Sequence, residues 1–177
     1  MKVFLADKSV DHLPEDHELF HFTKKFVGAM TNADFITLDV WVASLLPKTN
    51  SDLLLQIDIE GYEYETFLSV SEALMHRFRI IVAEFHLLEH LWNRQFFNLA
   101  SRAFDKILQT HACVHIHPNN VEGSLKKGGL EIPRVMEFTF LRKDRIQHSD
   151  YQVHFPNPLD CDNTSNRPLV LPKCWYS

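Results

Sequence analysis

The sequence predicts an α/β fold built on a mostly parallel sheet, and three features predict it. The run LLLQIDIEG at 53–61 is apolar and stops abruptly at two carboxylates, Asp58 and Glu60, ahead of Gly61. A second run, FRIIVAEFH at 78–86, is again short and apolar and ends in Glu84 and His86. Helical spacing of apolar residues follows each run. Short apolar segments bounded by turn chemistry suit strands covered on both faces. Ligands of open α/β sheets bind just beyond the carboxyl ends of such strands, so the two acidic ends are expected to converge on one site.

The elements follow in order. Residues 3–6 read as a short strand ending at Asp7, and the next stretch, DKSVDHLPEDHELF, as a polar loop. FHFTKKFV at 20–27 reads as a strand closed by Gly28. From 35 to 46 a helix is expected, with Thr37 and Asp39 at its start, where a short oxygen side chain accepts an orphan backbone N–H, and Pro47 at its end. A helix at 62–76 carries Phe67, Val70 or Ser71, and Leu74 on one face. From 88 to 108 the apolar positions Leu88, Leu91 with Trp92, Phe96, Leu99, Ala103 and Ile107 recur at steps of three and four, giving an amphipathic helix of about twenty residues. Segments 112–117 and 135–141 read as a late antiparallel strand pair joined by a long loop. In VMEFTFL, Met136, Phe138 and Phe140 share one face. Residues 1–145 are expected as one domain and 146–177 as a tail packed on it by anchors such as Trp175 and Tyr176.

Composition sets the outer bounds. A chain of 177 residues buries roughly 70% of its unfolded surface, enough for a core without staples. With 45% hydrophobic residues and 14 phenylalanines it is globular. The net charge of −5 argues against nucleic acid as a partner, which needs a basic surface to displace counterions. Three scattered cysteines, Cys113, Cys161 and Cys174, form no C-x-x-C pair, and a reducing cytoplasm is the simplest home. No run approaches the roughly 18 apolar residues of a membrane span, and the start has no signal-peptide core.

LLLQIDIEGYEYETFL followed by RIIVAEFH resembles the signature of FkbM-type S-adenosylmethionine-dependent methyltransferases, in which an I-D-x-E-G strand is followed by an acidic residue and a strand ending near E-x-H. HIHPNN, EFTFLRKDR and LPKCWY add to the likeness, which spans residue 35 to the end. The resemblance implies a Rossmann-like methyltransferase sheet with a C-terminal antiparallel hairpin, S-adenosylmethionine as cofactor, and methylation of a hydroxyl on a sugar or small metabolite. It places VFLAD at the second strand, with Asp7 on the cofactor ribose. Only five glycines occur and none forms G-x-G, so the first strand and its glycine turn are missing and the chain reads as truncated at its N-terminus. An exposed sheet edge would then be open to homodimer formation.

Each candidate has a plain structural reading beside the chemical one. Asp58 and Glu60 either shape the site floor or are solvated acids near a helix start. Glu84 and His86, two apart on one strand, form the preferred catalytic pair of base and orienting partner, or are simply strand-end polar groups. Asp39 either approaches the adenine side of the cofactor or caps its helix. His115 and His117 match a metal pair when joined to Asp58, Glu84 or His86, but in a chain with 11 histidines the default is structural, and no metal is assigned. The alternatives to a methyltransferase are a non-catalytic remnant that binds a partner and a metal-dependent hydrolase.

Overall fold

Alternation of apolar residues along four strands builds the sheet that carries the site. The computed structural model describes residues 1–47, 51–151 and 155–176. Strands β1 (Val3–Ala6) and β2 (Phe20–Thr23) pair in parallel, as do the short β3 (Phe26–Val27) and β4 (Phe35–Ile36). The single strand expected at 20–27 is therefore two. Lys25 N–H bonds back to the Thr23 carbonyl at 2.8 Å, a turn that sends β2 and β3 into different pairs. Helix α1 (Leu38–Leu45) begins later than the expected residue 35, because Phe35 and Ile36 are taken by β4; the Thr37 hydroxyl caps it, accepting from Val40 N–H.

The main sheet follows. It takes β5 (Leu53–Ile57), then α2 (Glu63–Ser69), α3 (Glu72–Met75), β6 (Phe78–Phe85), a 3₁₀ turn at Leu88–Trp92, α4 (Arg94–Thr110) and β7 (His111–Pro118). A hairpin of β8 (Ser124–Lys127) and β9 (Leu130–Pro133) precedes β10 (Met136–Arg142). The helices expected at 62–76 and 88–108 are each broken by a capping residue. Ser71 caps α3 through Leu74 N–H, and Asn93 caps α4 through the N–H groups of Gln95 and Phe96. Both side chains offer the backbone a competing acceptor, which is why such residues end one helix and start the next.

The strand order is β5-β6-β10-β7. Only β5–β6 is parallel; β6–β10 and β10–β7 are antiparallel, so the sheet is mixed and the expectation of a mostly parallel sheet is corrected. The cause is the return path. From β7 to β10 the chain runs through a hairpin with no crossover helix, and strands joined without a crossover pair antiparallel. β10 enters between β6 and β7, with Met136 opposite both Phe85 and Pro118. The carboxyl ends of β5, β6 and β7 thus meet the amino end of β10 at one margin of the sheet. Strand β5 lies at the edge of this sheet, with Leu54 57% exposed.

One face of the sheet holds the core. Ile81, Ala83 and Phe85 of β6 and Met136, Phe138 and Phe140 of β10 pack under Phe67 of α2 and Ala100, Ala103, Phe104 and Ile107 of α4. The opposite face carries Val82, Glu84, Glu137 and Thr139 in cross-strand register, only part-buried. Trp175 and Tyr176 of the tail pack on the core margin, with Trp175 Nε1 donating to the Glu131 carbonyl at 3.0 Å. Within the tail, positions 152–154 and 177 lie outside the described residues. Among the described residues no helix is long and apolar enough to cross a membrane.

Candidate functional site at the ends of β5 and β6

The turn after β5 builds the site. Ile59 and Tyr62 close it, Tyr62 N–H bonding to the Ile59 carbonyl, and both central residues, Glu60 (φ 56°) and Gly61 (φ 99°), take the left-handed conformation. Glycine is needed at 61 for that φ, and also because a Cβ there would stand 3.0 Å from Leu87 Cδ1. The inverted turn aims two N–H groups inward. Ile59 N–H donates to Glu63 Oε1 at 3.0 Å, and Gly61 N–H donates to Oε2, also at 3.0 Å. Glu63 is 0% exposed at the first position of α2, where the free N–H groups favour negative charge.

His86 completes the arrangement. It follows the last residue of β6, its carbonyl accepts from the Tyr64 hydroxyl at 2.6 Å, and its Nδ1 donates to Glu63 Oε1 at 3.2 Å. The other ring nitrogen, Nε2, faces Glu60 at 3.5 Å and Asp58 at 3.8 Å. The hydrogen bond to Glu63 is the main influence on the imidazole. Opposed by burial but helped by the negative fields of Glu63, Glu60 and Asp58, it raises the ring to about 9. Burial pushes Glu63 upward, yet the bonds from His86, Ile59 and Gly61 hold its carboxyl below the ordinary range. The two therefore form an imidazolium–carboxylate pair at neutral pH.

The pair makes stability depend on pH. His86 binds its proton more tightly when folded, so its contribution is fully present below pH 6.5 and is lost as pH rises through about 9. Glu63 is the reverse case, and its contribution is present above 4.5 and lost on acidification below that value. The melting temperature is expected to fall between pH 7 and pH 9.5 in the native chain and to be flatter there in His86→Gln. Parallel slopes in the two proteins would contradict a charged His86.

Glu84 stands two residues before His86 on the half-covered face. It accepts from Asn119 Nδ2 at 2.8 Å and lies directly opposite Glu137, which accepts from Asn163 Nδ2 at 2.9 Å. Like charges in direct register repel. Burial raises Glu84 above the usual carboxylate range, opposed by the Asn119 bond and helped by the charges of Asp58 and Glu137. Burial likewise raises Asp58, against the pull of His86.

Four expected residues, Asp58, Glu60, Glu84 and His86, are thus brought to one margin. The two assigned to the cofactor are engaged elsewhere. Asp7 Oδ1 accepts from Ser9 N–H at 2.6 Å and from the Ser9 hydroxyl at 2.7 Å. Asp39 accepts from Ser71 N–H at 3.0 Å through Oδ2 and from the Ser71 hydroxyl through Oδ1, tying α1 to the start of α3. His115 and His117 turn to Asp160 of the tail rather than to Asp58, Glu84 or His86. Glu63 has no role in the sequence reading beyond the acid that follows I-D-x-E-G. The signal for it was an acid two residues past a glycine at a helix start. Asn119, Glu137 and Asn163 carry no local signal, since their contacts cross strands or come from the tail.

Donor atoms of Asp58, Glu60 and His86 all lie within 4.8 Å of one another, a spacing that suits a metal ion. Comparison with known proteins finds no matching family model, no matching curated protein and no matching solved structure.

Proposed function

We propose that these strand ends bind S-adenosylmethionine and that the protein methylates a hydroxyl oxygen of a sugar or other small metabolite. One observation carries the reading: three carboxylates, Glu63, Glu60 and Asp58, lie within 3.8 Å of the one His86 imidazole at the carboxyl margin of the sheet, with Glu84 and Glu137 paired in register on the neighbouring strands. Such a margin carries surplus negative charge and favours a cation, and a sulfonium is one. The likeness of IDIEG and AEFH to the FkbM-type signature supports the same reading, as does a parallel strand pair followed by an antiparallel return.

When bound, the cofactor supplies an activated methyl group. The chain holds the acceptor hydroxyl in line with it and removes the hydroxyl proton. His86, charged at neutral pH, serves to position rather than to accept that proton. Glu84 is the base, because burial has already raised its affinity for a proton. Asp58 and Glu60 shape the floor around His86 Nε2. The resemblance assigns Asp7 to the ribose, with Oδ2 as the oxygen away from Ser9, and Asp39 reaches the cofactor only by releasing Ser71.

Hydrolysis at a divalent cation is a second reading, favoured by the Asp58–Glu60–His86 spacing and by Glu63 behind the imidazole, the arrangement that orients histidine ligands. Metal must displace the His86 proton, so binding there releases one proton at neutral pH. Calorimetric titration with S-adenosylhomocysteine separates the readings. Methyl transfer predicts saturable binding that weakens in Asp7→Ala and persists in Glu84→Gln, which holds the cofactor but takes no proton. Stoichiometric zinc without nucleoside binding supports the hydrolase, and neither ligand binding supports a partner-binding remnant.

A further inference from the structure

Strand β5 closes one side of the main sheet, and half of its backbone faces away from that sheet. Leu53 N–H donates to the Arg77 carbonyl at 2.8 Å, so backbone alternation turns Leu53, Leu55 and Ile57 towards β6. The N–H and C=O groups of Leu54 and Gln56 point outward, and among the described residues they have no partner. Both residues are exposed. An open edge of this kind pairs with another chain unless proline, charge or a bulge within the strand prevents it. LLLQI holds no proline, glycine or charged residue. The register irregularity falls on the neighbouring strand: Leu53 pairs with Phe78 and Leu54 with Ile80, which leaves Arg79 as an extra residue of β6.

The two ends of β5 differ in charge. At its start lie Arg79, exposed and without an ion pair among the described residues, and Arg145, whose side chain is 42% exposed. Asp52 at the same end is already neutralised, by Arg142 at 2.9 Å and Arg145 at 2.8 Å. At the other end lie Asp58 and Glu60, with side chains 44% and 85% exposed. An antiparallel neighbour sets start against end, which brings these cations to these carboxylates.

We propose that two copies of the chain join through β5 as an antiparallel pair about a two-fold axis at Leu55, merging their four-stranded sheets into one. Leu54 of each copy lies opposite Gln56 of the other. Both residues present their backbone outward, and each such pair exchanges two N–H···O=C bonds. Arg79 and Arg145 of one copy face Asp58 and Glu60 of the second. A two-fold contact needs a surface that complements itself, and β5 meets that condition in both its backbone and its charged ends. An unrelated extended segment satisfies the backbone alone. The pairing needs no bound cofactor, so it stands whether or not methyl transfer does.

Sedimentation equilibrium of the full chain over about 1–100 μM tests the proposal. The native chain is expected to dimerise with a dissociation constant on the order of 10 μM, rising with salt as the charged ends are screened. Gln56→Pro removes an outward N–H that β6 does not use, at a position where an edge strand tolerates proline, and should weaken the dimer about tenfold. Arg79→Glu breaks no ion pair within the single chain and should also weaken the dimer about tenfold, and adding Glu60→Lys should restore most of that loss. Melting temperatures of the variants establish that each is folded. A native chain still monomeric at the highest concentration, or a dissociation constant unchanged in folded Gln56→Pro or in folded Arg79→Glu, would overturn the proposal.

Discussion

Glu63→Ala is expected to destabilise the protein by about 3–5 kcal/mol, the cost of breaking a buried charge pair by removing one partner. Three donors lose their acceptor at once: Ile59 N–H, Gly61 N–H and His86 Nδ1. Two belong to a turn with Glu60 held at a positive φ, a conformation that costs a side-chain-bearing residue about 1–3 kcal/mol and persists only when its surroundings enforce it. At roughly 2–4 °C per kcal/mol for a chain of this size, thermal melts should show a fall of about 10 °C. The double variant with His86→Leu removes both charges and is expected to recover part of the loss, because the two side chains are in contact and their effects do not add. Equal losses in the single and double variants would show that Glu63 acts on the turn alone.

Phe85→Ala is expected to cost a similar amount, about 3–5 kcal/mol, for a different reason. The ring is fully buried, with centroids 4.6 Å from Phe104, 5.2 Å from Tyr64, 5.5 Å from Phe138 and 5.8 Å from Phe67. Four aromatic neighbours on α2, α4 and β10 cannot all move into the space it leaves, so a cavity remains. Phe85 also immediately precedes His86, whose carbonyl is held by Tyr64, one of those neighbours. The variant should therefore loosen the imidazole as well as the core. Chemical denaturation gives the stability loss, and a lowered His86 titration midpoint at a temperature where the variant stays folded gives the effect on the site.

The strand ends were legible because their signal is local. LLLQIDIEG and FRIIVAEFH carry the apolar run, the turn and the polar residues within nine positions, and the structure brings Asp58, Glu60, Glu84 and His86 to one margin. Helix breaks at Ser71 and Asn93 were written just as locally, in residues that cap as readily as they continue a helix, and the apolar periodicity across them concealed the break. Sheet order was not legible. Whether β10 pairs outside β7 or slips between β6 and β7 depends on how the chain returns, and no pattern within VMEFTFL distinguishes the two. Glu63 was hidden for a related reason: its partners are backbone N–H groups exposed only once Glu60 and Gly61 invert the turn. His115 and His117, whose default reading was structural, lie 2.8 Å and 3.7 Å from Asp160, 45 and 43 residues downstream, a proximity that no local spacing along β7 foretells.

The charge on His86 decides which chemistry these strand ends can perform, and its ring signals report that charge directly. Following the imidazole carbon-bound protons by NMR from pH 5 to pH 10, with His86→Gln to assign the signal, should give a midpoint near 9. It should drop in Glu63→Gln and, if the proposed cofactor S-adenosylmethionine brings a second positive charge to the margin, move again. A midpoint at or below 6.5 in the native chain would mean a neutral imidazole, an unpaired Glu63 and no imidazolium at the centre of the acidic cluster, contradicting the site as built.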